Sequence, residues 1–105
     1  MSNNPAKPTA GGVVRVTLLT APQCRFCDDA KAILERVAKD YPLTIETVAL
    51  DSPEGEQLAL QGNILFPPGL FLDGEPFSYG RPSERKLRQE LERRNRRRIG
   101  WAGEG

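Results

Sequence analysis

Hydrophobic positions along the first half of the chain predict a strand followed by a helix. The run VVRVTLL at residues 13–19 is rich in β-branched and aliphatic side chains, which predicts a largely buried strand. Beyond a short turn, apolar residues recur at offsets of 0, 4, 7, 8, 11 and 12, the spacing of one face of an α-helix; they are Phe26, Ala30, Ile33, Leu34, Val37 and Ala38. The pair Tyr41-Pro42 ends this helix, because the residue before a proline is pushed out of the helical region.

The next segment predicts a second strand and a short helix. Residues 43–50, LTIETVAL, have the composition of a strand. The helix between the two strands makes them parallel, with a right-handed crossover. Ser52-Pro53 is typical of a helix start, which predicts a short helix over residues 54–60 that ends near Gly62.

A hairpin and a last helix complete the pattern. Residues 70–72 and 75–79 predict the two hairpin strands, because Asp73-Gly74 between them is a strong turn signal. Ser83 predicts the cap of a final helix that turns Leu87 and Leu91 inward. The order β-α-β-α-β-β-α predicts an α/β fold, and 105 residues are enough for one small domain.

The segments that flank this domain have a different composition. Residues 1–12 are polar and rich in proline and glycine, which predicts a disordered arm. The domain is predicted over residues 13–94, with a basic tail over residues 95–105. No stretch approaches the roughly 20 apolar residues that a membrane span needs. We therefore expect a cytoplasmic location, where a structural disulfide would not persist.

The chain has only two cysteines, Cys24 and Cys27, placed between the first strand and the first helix. A structural zinc site needs four Cys or His ligands, and the chain has no histidine, so a metal would have to be shared between two chains. A disulfide that closes so short a loop adds little stability. An inert buried pair stays possible, but a Cys-x-x-Cys beside a βαβ pattern in a cytosolic chain is typical of a redox pair.

The position of Cys24 at a helix N-terminus has a chemical consequence. Free N–H groups and the helix dipole favour a thiolate there, so the pKa of Cys24 should fall below that of a free thiol. Arg25 adds a cation, whereas Asp28 and Asp29 oppose the effect. The thiolate is the form that attacks a disulfide, and Cys27, one turn further on, is placed to resolve the product.

These features together resemble the thioredoxin fold, and within it the small glutaredoxin-like proteins. The matching stretches are LLTAPQCRFCDDAK, PGLFLDG and SERKLRQEL. The resemblance implies a central mixed four-stranded sheet flanked by helices, with Cys24 as the attacking and Cys27 as the resolving residue. It also implies that Pro68 is a cis-proline that faces the cysteines and pairs with the substrate backbone. The alternative is a stiff trans loop at Pro67-Pro68.

The chain departs from the glutaredoxin pattern at the positions that hold glutathione. Ala21 stands where a lysine often meets a glutathione carboxylate, and Tyr79-Gly80-Arg81 occupies the place of a glycine pair. Pro67 has no N–H to offer the tripeptide backbone. We therefore expect weak glutathione binding, with Arg81 as the candidate partner for a carboxylate.

Substrate contacts are predicted around the cysteines and the proline loop. Two of the residues involved, Arg25 and Phe26, replace the Pro and Tyr that glutaredoxins usually carry between the cysteines. The predicted substrate-binding residues are Arg25, Phe26, Pro67, Pro68 and Arg81.

The end of the chain carries a strong positive charge. Residues 81–98 contain nine Lys or Arg and three Glu, a net charge of +6, while the whole chain is +1, which leaves −5 for the remainder. Such asymmetry can mark a nucleic-acid or membrane patch. Cations near a helix C-terminus also interact favourably with the dipole, and no aromatic residue is interleaved with the arginines. We therefore expect a solvated helix end rather than a nucleic-acid site.

Three functions stay open on the sequence. The first is a thiol-disulfide oxidoreductase that reduces protein or small-molecule disulfides through Cys24 and Cys27. It would be a monomer with no bound cofactor or metal, and glutathione or a dithiol reductase would supply its electrons. The second is a thioredoxin-fold binding module without redox turnover. The third is an electrostatic adaptor that uses the arginine-rich end.

Overall fold

The computed structural model describes residues 13–99, with side chains through residue 95. The predicted arm over residues 1–12 lies outside the described residues, as do residues 100–105. The elements follow the predicted order. They are β1 (Val14–Thr20), α1 (Arg25–Val37), β2 (Leu43–Ala49), α2 (Pro53–Gly62), β3 (Gly69–Leu72), β4 (Glu75–Tyr79) and α3 (Glu84–Ile99).

The four strands form one mixed sheet in the order β2-β1-β3-β4. β1 is parallel to β2 and antiparallel to β3, and β3 is antiparallel to β4. This is the predicted thioredoxin-like α/β fold. β1 is buried along almost its whole length because it is an inner strand that is covered on both faces, which explains its continuous hydrophobic run.

The core is divided between the two faces of the sheet. On one face, α1 and α3 cover Val16, Leu18 and Leu72, and Leu87 and Leu91 of α3 are buried there as predicted. On the other face, α2 and the loop after it cover Leu19, Val48 and Phe71.

Local capping signals set where the helices begin. The Ser52 hydroxyl accepts a hydrogen bond from the Gly55 N–H at 3.0 Å, and Pro53 occupies the first turn of α2. The Ser83 hydroxyl accepts one from the Lys86 N–H at 3.2 Å. Both serines therefore cap helices as the sequence predicted.

Two features of the helices differ from the sequence expectation. Phe26 belonged to the predicted buried face of α1, but its side chain is 41% exposed, and Cys27 takes the inner position. The buried stripe therefore begins one residue later than predicted. The second difference is that α3 continues to Ile99, so the boundary expected at residue 94 falls inside a helix. Arginine is a good helix former, which favours this continuation.

Ion pairs fasten α3 to the rest of the domain. Glu84 accepts hydrogen bonds from Arg36 of α1 at 2.8 Å and from Arg88 at 3.0 Å, and Arg88 also reaches Asp40 at 2.7 Å. The hydrogen bond from Arg36, together with that from Arg88, lowers the pKa of Glu84 below its ordinary value. The first turn of α3 is thereby tied to α1, the helix that carries the cysteines.

Candidate active site

All four strands bring their loops to one end of the sheet. Val48, Leu19, Gly69 and Tyr79 form a row across the sheet at that end. Just beyond the row, the Leu50 N–H donates to the Thr20 carbonyl at 2.8 Å, and the Gly80 N–H donates to the Pro68 carbonyl at 2.9 Å. The turn that leads to the cysteines starts from this end of the sheet, as does the loop that carries Pro68.

A tight turn presents Cys24 at the start of α1. Gln23 adopts a left-handed conformation with φ of 54°, which non-glycine residues adopt infrequently. Cys24 then has an extended conformation with φ of −113° and is the N-cap of α1. Its Sγ accepts a hydrogen bond from the Cys27 N–H at 3.1 Å, so a sulfur fills the place that a capping oxygen usually takes.

The two cysteines differ in accessibility. Cys24 is partly exposed at the helix end, whereas Cys27 is 2% exposed and packed against the core. They are joined by a disulfide with a Cα–Cα distance of 5.2 Å, within the range usual for disulfides. An attacking species can therefore reach Cys24 far more easily than Cys27.

Arg25 and Phe26, between the cysteines, both point outward. Arg25 is the first residue of α1 and is exposed. A cation at a helix N-terminus is unfavourable with respect to the dipole, so stabilisation of α1 does not account for it. Its charge instead adds to the positive potential around Cys24. Phe26, two residues after Cys24, also has an exposed side chain.

The Pro67-Pro68 peptide bond is cis, as the resemblance implied. Pro68 is fully buried and Pro67 partly so. The preceding residue, Phe66, packs its ring against Tyr79 at a centroid separation of 6.0 Å. The proline loop is therefore joined to the end of β4 by both a backbone hydrogen bond and an aromatic contact.

Arg81 follows β4, two residues after the last residue of that strand. It is exposed and lines a groove of about 280 Å³ together with Asp29, Ile33 and Arg36 of α1. Among the described residues, no ion pair occupies its guanidinium. The structure thus places Arg81 beside the second and third turns of α1, on the helix that starts at Cys24.

An apolar surface next to the proline loop was not predicted from the sequence. Leu60 is 82% exposed and Leu65 is 69% exposed, and Phe66 is also largely exposed. A signal was present, since ILFPP is an apolar run that the two prolines keep from forming a central strand. Apolar residues in a loop are candidates for a binding surface.

Comparisons with known proteins agree with this geometry. The family model described as Glutaredoxin-like domain (DUF836) matches residues 15–92. A protein named Thioredoxin from Methanocaldococcus jannaschii is 28% identical over 81 residues, covering 77% of this chain and 95% of the relative. A Probable Thioredoxin from Archaeoglobus fulgidus is 30% identical over 77 residues, covering 73% and 85%.

Solved structures are similar in fold. A mutant thioredoxin from Halobacterium salinarum superposes with a TM-score of 0.62 at 23% identity, covering 79% of this chain and 75% of that one. An uncharacterised thioredoxin-like protein from Clostridium perfringens gives 0.60 at 18% identity, covering 80% and 72%. Within the described residues, no helix is long and apolar enough to cross a membrane.

Proposed function

The chain belongs to the glutaredoxin-like domain family, and from this premise we propose that it is a thiol-disulfide oxidoreductase. It reduces protein or small-molecule disulfides with the Cys24–Cys27 pair. One observation carries the proposal: an accessible cysteine caps a helix N-terminus, and its disulfide partner is buried one turn away. A pair of inert core cysteines would not present one sulfur to solvent in this way.

The reaction follows from the asymmetry of the pair. In the reduced protein, the Cys24 thiolate attacks one sulfur of a substrate disulfide, forms a mixed disulfide and releases the other sulfur as a thiolate. Cys27 then loses its proton and attacks the Cys24 sulfur. That step forms the Cys24–Cys27 disulfide and releases the second substrate sulfur as a thiolate. Two electrons pass to the substrate, and the two released thiolates take up protons.

A further reductant must return the pair to the dithiol form. Glutathione and a dithiol reductase are the two candidate donors, and each would reverse the same steps with two electrons. The dithiol form is the one that a reducing cytoplasm maintains, so the proposal includes a cytoplasmic location. The substrate contacts would come from Arg25, Phe26, the Pro67-Pro68 loop and Arg81.

Three arginines of the basic segment are engaged within the chain, which weakens the case for an electrostatic adaptor. Arg88, Arg93 and Arg94 all form ion pairs with carboxylates of the same chain. These contacts give the three arginines a structural role and reduce the charge they could offer to a nucleic acid.

Turnover of a small disulfide tests the proposal. The reduced protein should cleave an aromatic disulfide and insulin in the presence of dithiothreitol, and a redox titration should yield one two-electron transition for the pair. Cys24→Ser should abolish turnover, whereas Cys27→Ser should trap the mixed disulfide. A wild-type protein that reduces neither substrate, although its Cys24–Cys27 pair is fully reduced, would favour the binding module without redox turnover.

A further inference from the structure

An apolar groove borders α2 on the face of the sheet opposite α1. We call it the α2 groove. It has a volume of about 530 Å³, and its aliphatic lining includes the two most exposed leucines of the described chain, Leu60 and Leu65. The remaining lining residues are Leu50, Glu56, Ala59, Asn63 and Ile64.

The α2 groove opens at the same end of the sheet as Cys24. Leu50 donates its N–H to the carbonyl of Thr20, from which the turn to Cys24 departs. At the other side of the groove, Leu65 precedes Phe66 and the Pro67-Pro68 loop. A chain segment bound near the disulfide would therefore reach the groove by crossing this end of the sheet.

The segment of the chain that carries the groove is acidic. Between Lys39 and Arg81 the sequence contains no lysine or arginine but seven acidic residues. Three of these carboxylates are paired with arginines of α3; they are Asp40, Asp73 and Glu75. The other four are Glu46, Asp51, Glu54 and Glu56.

Those four carboxylates lie on β2 and around the start of α2. Among the described residues, none of them forms an ion pair or a side-chain hydrogen bond. Glu56 lies in the wall of the α2 groove itself. An apolar groove with the unpaired carboxylate of Glu56 in its wall offers a complementary surface to aliphatic side chains flanked by cations.

We propose that the α2 groove binds the part of a protein substrate that flanks its disulfide, and that it selects segments carrying leucine-like side chains together with Lys or Arg. This inference rests on the proposed oxidoreductase function and adds a substrate class to it. The aliphatic side chains would cover Leu60 and Leu65, and the cations would approach Glu56. In the basic helix of a second copy, Arg88, Arg93 and Arg94 are already engaged with carboxylates of their own chain, which makes these three arginines poorer partners for the groove.

Synthetic peptides test this selection. Each peptide carries one cysteine in a mixed disulfide with an aromatic thiol, whose release reports reduction. The first peptide places two leucines and two lysines beside the cysteine, the second replaces the lysines by glutamates, and the third replaces the leucines by serines. We expect kcat/KM for the first peptide to exceed that for each of the others by about tenfold or more. The preference for lysine over glutamate should shrink as salt is raised.

Matched variants locate the selection on the groove. Glu56→Lys should remove the preference for lysine, whereas Glu35→Lys, on the exposed face of α1, should leave it unchanged. Leu60→Ser combined with Leu65→Ser should remove the preference for leucine. The control is Ile45→Ser, which changes an exposed aliphatic residue on β2. None of these residues takes part in the disulfide chemistry, so reduction of the small aromatic disulfide should stay the same throughout.

The outcomes separate the inference from the function on which it rests. Equal kcat/KM for the three peptides, with reduction otherwise intact, would overturn the selection and leave the oxidoreductase standing. Failure to reduce even the small disulfide would overturn both. Self-association that Leu60→Ser and Leu65→Ser abolish, without any peptide preference, would assign the α2 groove to a second copy and contradict the proposal.

Discussion

The Cys27 N–H donates a hydrogen bond to the Sγ of Cys24 across 3.1 Å. The same local geometry that joins the two cysteines therefore also distinguishes them, because the Cys24 sulfur accepts an N–H of the first helical turn and Cys27 donates it. In the reduced protein, we expect this hydrogen bond and the helix dipole to stabilise a negative charge on Cys24. Cys27 is buried against the core, so its sulfur is poorly accessible to solvent.

The first prediction concerns the relative reactivity of the two thiols. In the fully reduced protein at neutral pH, Cys24 should react with iodoacetamide faster than Cys27, because the thiolate is the nucleophile and Cys24 is the accessible one. Peptide mass spectrometry at a series of quench times measures both rates. Equal and slow alkylation of the two, near the rate of an unperturbed thiol, would contradict the assignment of roles.

The second prediction concerns Arg94, which joins α3 to the β3–β4 turn. Its guanidinium pairs with Glu90, Asp73 and Glu75 at 2.7, 3.3 and 3.0 Å, and the side chain is only 16% exposed. Arg94→Met keeps the apolar stem but removes the three ion pairs that Arg94 forms with these carboxylates. We expect it to lower the free energy of unfolding by about 1–3 kcal/mol.

Arg93 provides the matched control for Arg94. It pairs with the same Glu90, but its side chain is 53% exposed, and exposed ion pairs contribute about 0–1 kcal/mol. Urea unfolding of both methionine variants gives the comparison. An equal, small loss for the two would show that the Arg94 network does not stabilise the domain.

The third prediction concerns the close approach of α2 to β2. A Cβ on Gly55 would overlap the carbonyl oxygen of Ala49, which is backbone and has little freedom to move. Gly55→Ala should therefore destabilise the domain by about 1–3 kcal/mol, the usual range for overpacking. Gly74→Ala is a useful comparison, since it meets nothing within 4 Å and is strained only by a φ of +84°.

Thermal unfolding of the two alanine variants separates the steric overlap at Gly55 from the backbone strain at Gly74. Gly74→Ala should cost about 1 kcal/mol through backbone strain alone. A Gly55→Ala variant as stable as the wild type would mean that α2 can shift away from β2 without loss of packing.

The parts of the fold that the sequence predicts are those set by interactions between neighbouring residues. Asp73-Gly74 adopts positive φ at both residues, as a tight hairpin turn requires, and Ser52 and Ser83 cap their helices through contacts three residues away. Each of these interactions lies within a few neighbouring residues. Turns, caps and strand order along the chain could therefore be predicted without knowledge of the tertiary packing.

Features that depend on distant residues were not predictable in the same way. Phe26 fits the helical spacing of the buried positions, yet its side chain is exposed. It is the second residue of α1, which begins at Arg25, and lies at the end of the helix. The exposure of β2 follows from its place at the sheet edge, which the order of elements in the sequence does not specify. The α2 groove depends equally on contacts between β2, α2 and the proline loop.

The fourth prediction concerns acid stability. The hydrogen bond from Arg36, followed by that from Arg88, lowers the pKa of Glu84 below its ordinary value of 4.5. A lowered pKa in the folded state means that the Glu84 contribution is complete above 4.5 and is lost as pH falls through the folded-state pKa. Glu84→Gln should therefore show a smaller loss of stability than the wild type in this acid range. Urea midpoints at neutral pH and below 4.5 measure the difference, and Glu35→Gln serves as the control.

The last prediction concerns glutathione as a substrate and electron donor. This chain resembles the glutaredoxins. They hold glutathione through a lysine, a glycine pair and a backbone N–H before the cis-proline. This chain has Ala21 at the first position, Tyr79-Gly80-Arg81 in place of the glycine pair and Pro67 before Pro68. Each missing hydrogen bond is worth about 0.5–1.5 kcal/mol, so two or three should weaken glutathione binding by roughly ten- to a thousandfold.

We therefore expect poor deglutathionylation by the Cys27→Ser variant, which retains Cys24 for a monothiol mechanism but cannot form the intramolecular disulfide. The assay follows release of glutathione from a glutathionylated peptide, with excess glutathione as the donor. The wild-type protein, assayed on an unglutathionylated disulfide peptide with dithiothreitol, shows that the dithiol route is intact. Brisk glutathione-dependent turnover by Cys27→Ser would mean that Arg81 and the remaining contacts hold the tripeptide despite Ala21 and Pro67. In that case the chain would act on glutathione as ordinary glutaredoxins do.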